Sequence, residues 1–268
     1  MAAPEDDTTP AYFHLRGTLG SQMFQIAAGY AFSKRHNRRL ALPGVSEGQK
    51  PFQYFDTYFH QLAKHISPRV AGERYFEPMY SYWEIPDYAL DIYGYFQSSK
   101  YFTDVSGEIR TVFDLPNDIK SEVETVWASV LAAKENGIVL DMRVSAHGFL
   151  TQDYYERGIA AIRAAVGDAT APIFVFSEDV AWITNLPWLK ELGVTVVNET
   201  NEVAALYVMS QFRRFVLSNT AYSWWAAWLS RDTEHVIVPD QWNRPRDPQD
   251  FKDVYEAGWT RIPVEKPT

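Results

Sequence analysis

The stretch Phe215-Val216-Leu217-Ser218-Asn219-Thr220-Ala221-Tyr222-Ser223-Trp224-Trp225 runs from a short apolar segment through small polar residues into a second apolar segment. A strand that ends in Ser-Asn-Thr and opens directly into a helix is one corner of a βα unit, since these residue types cap helix N-termini. The pattern repeats outward from there. Ile138-Val139-Leu140, Ile173-Phe174-Val175-Phe176, Val194-Thr195-Val196-Val197 and Val236-Ile237-Val238 read as further buried strands. Helical stretches near 153–166, 179–191, 201–212 and 221–231 fall between or beside them. Strands and helices alternating at this spacing predict a parallel sheet with helices on both faces.

The N-terminal half is less clear. Tyr12 to Arg16 reads as a strand, Gly17-Thr18-Leu19-Gly20 as a turn and Gln22 to Arg35 as a helix. Leu40-Ala41-Leu42-Pro43 then gives a short strand stopped by proline, which completes a β-loop-α-β opening. Residues 50–115 are dense in aromatics and proline and define no clear elements. A helix from Ser121 to Glu135 ends at Asn136-Gly137. The expected organisation is a solvated tail over 1–10, an N-terminal α/β domain over 11–136 and a C-terminal α/β domain over 137–268.

Composition narrows the function classes. A formal net charge of −9 disfavours a general polyanion binder. The one basic run, Lys34-Arg35-His36-Asn37-Arg38-Arg39, sits where a helix should end, where cations complement its dipole. No nucleic-acid partner is expected. The chain has no cysteine, so neither disulfides nor a thiolate zinc site is available. No apolar stretch reaches the roughly 18 residues that span a bilayer, and the first ten residues lack the basic and apolar regions of a signal peptide. A cytoplasmic protein is expected, with a removed membrane anchor as the alternative. Aromatic residues make up 15% of the chain, a content that suits both a large core and a sugar-stacking site.

In an open parallel sheet, ligands bind beyond the carboxyl ends of the strands. Three polar segments follow strands in the C-terminal half: Asp141-Met142-Arg143-Val144-Ser145, Ser177-Glu178-Asp179 and Ser218-Asn219-Thr220. A helix start offers unpaired N–H groups to a phosphate, and Arg143 can neutralise a further phosphate oxygen. Together they suggest a nucleotide-diphosphate cradle. Taken singly, Ser218, Asn219 and Ser177 equally suit helix caps, and Arg143 equally suits a structural ion pair. No Asp-x-Asp triplet follows an apolar strand, so the carboxylate pair that would hold a metal on a nucleotide-sugar is missing, and no metal site is expected. The P-loop pattern, the full dinucleotide fingerprint and the nucleophile elbow are also missing. His60 and His65 stand in a probable helix without further ligands and read as surface residues.

At this level of detail the chain resembles the α-1,2-fucosyltransferases of bacteria and their animal relatives, from about Phe13 to Pro263. The family's G-G-L-G-N-Q-M-F-Q stretch corresponds to Gly17-Thr18-Leu19-Gly20-Ser21-Gln22-Met23-Phe24-Gln25, and G-Y-x-Q-S-x-K-Y-F to Gly94 through Phe102. D-Y-Y corresponds to Asp153-Tyr154-Tyr155, and F-S-D-D followed by Trp to Phe176-Ser177-Glu178-Asp179 with Trp182. The longest match sets S-N-S-x-x-S-W-W-x-A-W-L against Ser218 to Leu229, and Val238-Pro239-Asp240-Gln241-Trp242 and Gly258-Trp259 fit as well. One segment departs. Where the family has H-x-R-x-G-D, this chain has Asp141-Met142-Arg143-Val144-Ser145-Ala146, which keeps only the arginine.

The resemblance implies two Rossmann-like domains facing a cleft, the GT-B type of glycosyltransferase. It implies inverting, metal-independent transfer of L-fucose from GDP-fucose to a glycan hydroxyl in α-1,2 linkage. The partners would be a nucleotide-sugar and an oligosaccharide or glycoprotein acceptor, with no cofactor beyond the donor. Arg143, Ser218, Asn219, Thr220 and Ser223 would hold the diphosphate, and Ser177, Glu178 and Asp179 the base or ribose. Gly17, Leu19, Gly20 and Gln22 would approach the donor from the first domain. Asp141, His147 and Asp153 stand as alternatives for the base, with Arg143 at the reacting centre. The departure at 141–146 keeps open a different donor, another deoxyhexose or a pentose, or an inactive glycan-binding relative.

Overall fold

In the computed structural model of the protein, the described residues are 9–43, 53–68, 72–143, 150–242 and 251–264. The chain divides into two compact units: 1–116 with 247–255, and 117–246 with 256–268. Each is described by itself.

Unit 1 is built on four parallel strands, β1 (Pro10–Phe13), β2 (Arg39–Ala41), β3 (Arg74–Phe76) and β4 (Asp91–Tyr93), in the order β2-β1-β4-β3. Helix α1 (Leu19–Arg35) packs on β1 and β2, with Phe13 against Phe32 at 5.8 Å. Its last turn carries Lys34 and Arg35, as the dipole favours. The basic run is spent locally: Lys34 pairs with Glu108, Arg35 with Asp104 at 2.8 Å, and Arg38 Nη1 donates to Ala89 O at 3.2 Å. Helix α2 (Ser106–Val112) and short 3-10 turns complete the unit. The His60–His65 segment is one of these turns, and both imidazoles are half-buried on backbone carbonyls rather than free at the surface.

Unit 2 begins with α3 (Asn117–Val126) and α4 (Ala128–Leu131). The boundary therefore falls at 116/117 instead of 136/137. The physical reason is packing: α3 lies on the later helix α8 (Glu202–Ser210), with Tyr207 donating to Glu124 at 2.6 Å. The strands β5 (Ile138–Asp141), β6 (Ile173–Phe176), β7 (Thr195–Val196), β8 (Arg214–Val216), β9 (His235–Pro239) and β10 (Thr260–Ile262) form one parallel sheet, in the order β10-β9-β8-β5-β6-β7. Helix α5 (Gln152–Val166) covers one face and ends in a left-handed Gly167. The single helix expected over 179–191 is two, α6 (Val180–Thr184) and α7 (Pro187–Glu191), because Pro187 lacks the N–H that would continue the first and instead starts the second. Helix α9 (Ala221–Leu229) is apolar on nearly every side and buried accordingly. Trp224 and Trp225 are both wholly buried and meet edge to face at 5.0 Å, so most of the aromatic signature of this stretch is core. Among the described residues, no helix is long and apolar enough to cross a membrane.

In unit 2 the strand order reverses direction once, and the neighbours at the reversal are β5 and β8; in unit 1 it reverses twice, and the two halves of the sheet meet at β1 and β4. Such a switch point is where an open parallel sheet leaves a crevice beyond its carboxyl edge.

Candidate functional site

In unit 2 the residues that follow the two switch-point strands converge. Asp141 closes β5 and is wholly buried, an expensive place for a carboxylate unless every lone pair is used. Ser218, just beyond β8, donates to Asp141 Oδ2 at 3.0 Å, and Ser223, from the first turn of α9, donates to the same oxygen. Arg143 Nε donates to Asp141 Oδ1 at 2.9 Å. Thr220, rather than Ser218 or Asn219, caps α9, accepting from Ser223 N at 3.1 Å. The strand end, the helix start and the arginine are thus tied to one carboxylate.

Arg143 is held from three sides. Besides Asp141, its Nη1 lies 3.5 Å from Glu178, and its guanidinium sits 4.2 Å over the Tyr222 ring. Burial works against the cation. The charges of Asp141, Tyr222 and Glu178 and the hydrogen bond to Asp141 outweigh it, so its pKa stands above the usual arginine value. The Tyr222 phenol is pushed up by burial, and its hydroxyl donates to Glu202 O at 2.7 Å. Glu178 is the loosest member of the group, with its side chain 32% exposed and its contact to Arg143 the longer of the two carboxylate contacts.

The remaining expected residues of this unit separate into neighbours and scaffolding. Ser177 Oγ accepts from Asp179 N at 3.1 Å, and Asp179 caps α6 by accepting from Trp182 N at 2.9 Å. These two shape the turn that carries Glu178. Asn219 is buried and donates to Trp242 O at 2.9 Å, so its side chain braces the chain after β9. Asp153 pairs with Arg157 one turn along α5 at 2.7 Å. His147 lies outside the described residues, as do Val144, Ser145 and Ala146. Asp141 is buried with three donors on it. Sequence reading missed Tyr222, whose ring lies under the Arg143 guanidinium; the signal was the Tyr inside the Ser218–Trp225 run.

In unit 1, Gly17 takes φ +81°, a left-handed value that suits glycine, and a Cβ there would meet Ser21 Cβ at 3.0 Å. Gln22 Nε2 donates back to Gly17 O at 3.0 Å. Leu19 is wholly buried and Gly20 is buried beside it, so both belong to the packing of α1 on its sheet. Gln25, which the sequence reading left aside, spans this unit's switch point. It accepts from Arg16 N at 2.9 Å and donates to Arg16 O at 3.2 Å and Gly94 O at 3.1 Å. Glu77 accepts from the Tyr95 and Phe96 amides at 2.6 and 3.0 Å and holds Phe96 at φ +53°. Burial pushes the Glu77 carboxyl up to about 7, against the pull of those amides, Tyr101 and Arg16. Among the described residues, no group of three His, Asp or Glu stands together so as to hold a metal ion.

Comparison with known proteins gives this geometry a context. The sequence pattern described as Glycosyl transferase family 11 matches residues 8–263. An Escherichia coli alpha-1,2-colitosyltransferase is 23% identical, over 92% of this chain and 97% of its own length. The O-antigen biosynthesis glycosyltransferase WbnK of Escherichia coli is 28% identical, over 86% and 94%. Among solved structures, the NodZ alpha-1,6-fucosyltransferase co-crystallised with GDP superposes with a TM-score of 0.51 at 12% identity, over 82% of this chain and 92% of that one. That likeness concerns the α/β fold with parallel sheets. With the family pattern running through both switch points, this chain belongs to glycosyl transferase family 11 and is a glycosyltransferase of the fucosyltransferase-like kind.

Proposed function

We propose that the chain moves L-fucose from GDP-fucose to a glycan hydroxyl, inverting the anomeric carbon to give an α-1,2 linkage, without a divalent metal. The two units are read as the Rossmann-like domains of a GT-B-type enzyme. The observation that carries the reading is Arg143, anchored on buried Asp141 at the switch point of β5 and β8 beside the start of α9. A diphosphate there meets a fixed guanidinium and backbone N–H groups of a helix start. Glu178 opposes it, and its 3.5 Å contact is the one that gives way when a phosphate oxygen takes its place. The acceptor oxygen attacks the anomeric carbon as the bond to the diphosphate breaks, and the charge that develops on the departing phosphate falls beside Arg143. Asp141 fixes the arginine and takes no proton. The sequence lacks the Asp-x-Asp pair that holds a metal on the donor, and Arg143 supplies the positive charge in its stead.

The test pairs binding with turnover. GDP is expected to raise the melting temperature and UDP to do so less. Arg143→Ala is expected to cut transfer by about a hundredfold or more, with Arg143→Lys falling between because it keeps charge but not the fork. Transfer is expected to survive excess chelator. An Arg143→Ala enzyme that transfers at the wild-type rate sinks the cradle.

A second reading is favoured by one observation. A relative matching over nearly its whole length is named an alpha-1,2-colitosyltransferase, and this chain keeps only the arginine of the 141–146 motif. Colitose is L-fucose without the 3-hydroxyl. A ratio of kcat/KM above about tenfold for GDP-colitose over GDP-fucose, or the reverse, decides between them.

A further inference from the structure

In unit 1, Arg35 and Arg38 spend their guanidinium donors on Asp104 and on backbone carbonyls. Arg16 does not. Its Nε is buried without an acceptor, and among the described residues no carboxylate pairs with its guanidinium. A buried charged donor left without a partner is costly, and an exception calls for a reason.

The side chain is nevertheless held in place. Arg16 lies just beyond β1 and Tyr95 two residues beyond β4, at the carboxyl edge of these neighbouring strands, where ligands of an open parallel sheet bind. Gln25 clamps the Arg16 backbone by both its N–H and its carbonyl. The guanidinium sits 4.5 Å over the Tyr95 ring, a contact made through its charge and not through its N–H groups. Glu77 lies within its electrostatic reach, but accepts instead from the Tyr95 and Phe96 amides and the Tyr101 hydroxyl. Further out, Tyr80 stacks on Tyr95 at 5.7 Å and Phe251 on Tyr80 at 4.6 Å. Tyr80 is 37% exposed and presents an aromatic surface of the kind that packs on a sugar ring.

The geometry points to Arg16 and Tyr80 as a subsite for an acidic sugar of the glycan acceptor, with the sugar carboxylate on the guanidinium and the sugar ring against the tyrosine. This rests on the reading that gives the donor diphosphate to Arg143. A guanidinium offers two parallel N–H donors that match the two oxygens of a carboxylate, so it discriminates against a neutral sugar that brings no charge to it. The net charge of −9 sharpens the choice. An acidic glycan is repelled by such a chain at large and is held only where a cation stands without an ion-pair partner.

Methyl β-D-glucuronide and methyl β-D-glucoside differ only in the oxidation of one carbon and serve as probes. In ligand-observed NMR titrations, wild type is expected to bind the glucuronide about tenfold more tightly than the glucoside. Arg16→Met keeps the length of the side chain and removes its charge. It is expected to lose that preference while the GDP-induced melting shift is retained, and Arg16→Lys is expected to keep part of the preference. Tyr80→Ala is expected to weaken both sugars alike. Equal binding of the two sugars to wild type overturns the subsite, as does a preference that survives in Arg16→Met or unchanged binding in Tyr80→Ala. A folded Arg16→Met protein that no longer responds to GDP also overturns it, because the cation would then serve the donor phosphates. Where Arg16→Met does not fold, Arg16→Gln takes its place with the same outcomes. A wild type that GDP does not stabilise overturns the donor reading, whereas a missing glucuronide preference with the GDP shift intact overturns this inference alone.

Discussion

The two switch points use polar side chains in opposite ways. At β1 and β4, Gln25 reaches across to the backbone of Arg16 and Gly94, and Glu77 ties down the amides that follow β4. Those side chains are consumed in holding turns. At β5 and β8, two hydroxyls and a guanidinium gather on one buried carboxylate, and the backbone is shaped as a by-product. A side chain bonded to its own backbone fixes a path. Side chains bonded to one another fix the direction of a charge. The first arrangement is architecture, and the second carries the proposed chemistry.

The largest test of that contrast is Asp141→Ala. Removing the carboxylate leaves Arg143 only the longer Glu178 contact and the Tyr222 ring and takes the shared acceptor from both hydroxyls, and breaking a buried pair in this way costs about 3–5 kcal/mol. Denaturant unfolding followed by tryptophan fluorescence should show it, with transfer lost as well. A cost below about 1 kcal/mol would mean the hydroxyls do not depend on the carboxylate. Next comes Gln25→Ala. It removes three hydrogen bonds to backbone, for a loss of about 2–3 kcal/mol, but it should leave the GDP-induced melting shift intact. A vanished shift would blur the distinction between the two switch points.

Glu77 adds a pH signature to unit 1. Its folded-state pKa is raised to about 7 from 4.5, so between those values the folded chain holds a proton that the unfolded chain has released. That contribution is fully present below the unfolded value and is lost as pH rises through about 7. Glu77→Gln should flatten the fall of stability over this window by on the order of 1–3 kcal/mol. The same slope in wild type and variant would refute the assignment. The smallest effect expected is on Glu178. Glu178→Gln relieves the competition for Arg143 and should tighten GDP about two- to fivefold, since a half-exposed ion pair is worth under about 1 kcal/mol. Weaker GDP binding would show that Glu178 serves the nucleotide directly.

Much of unit 2 was legible because its strands are short, wholly apolar runs punctuated by polar residues, and the same punctuation marked Asp141, Arg143 and Ser218. What the residues could not disclose was which hydroxyl would cap and which would anchor. Ser218, Thr220 and Ser223 are chemically alike, and only the placement of Asp141 under the helix start separates them. Unit 1 was harder. β3 and β4 are three residues each, they lie among prolines and aromatics, and β4 pairs with β1, far back along the chain, while β3 pairs only with β4. The two-helix break at Pro187 was readable in principle from the proline. The transfer of α3 to unit 2 was not, because it depends on the surface of α8.

The path of the backbone through the two units has a consequence for synthesis. The chain leaves unit 1 after 116, returns for 247–255 and departs again. In that returning stretch Asp253 accepts from Tyr82 N at 3.0 Å and pairs with Lys100, and Phe251 stacks on Tyr80 at 4.6 Å. A ribosome making this protein therefore releases the first unit's own closing segment only after the whole of 117–246. Unit 1 is finished only after strands β5 to β9 of the other unit have been made.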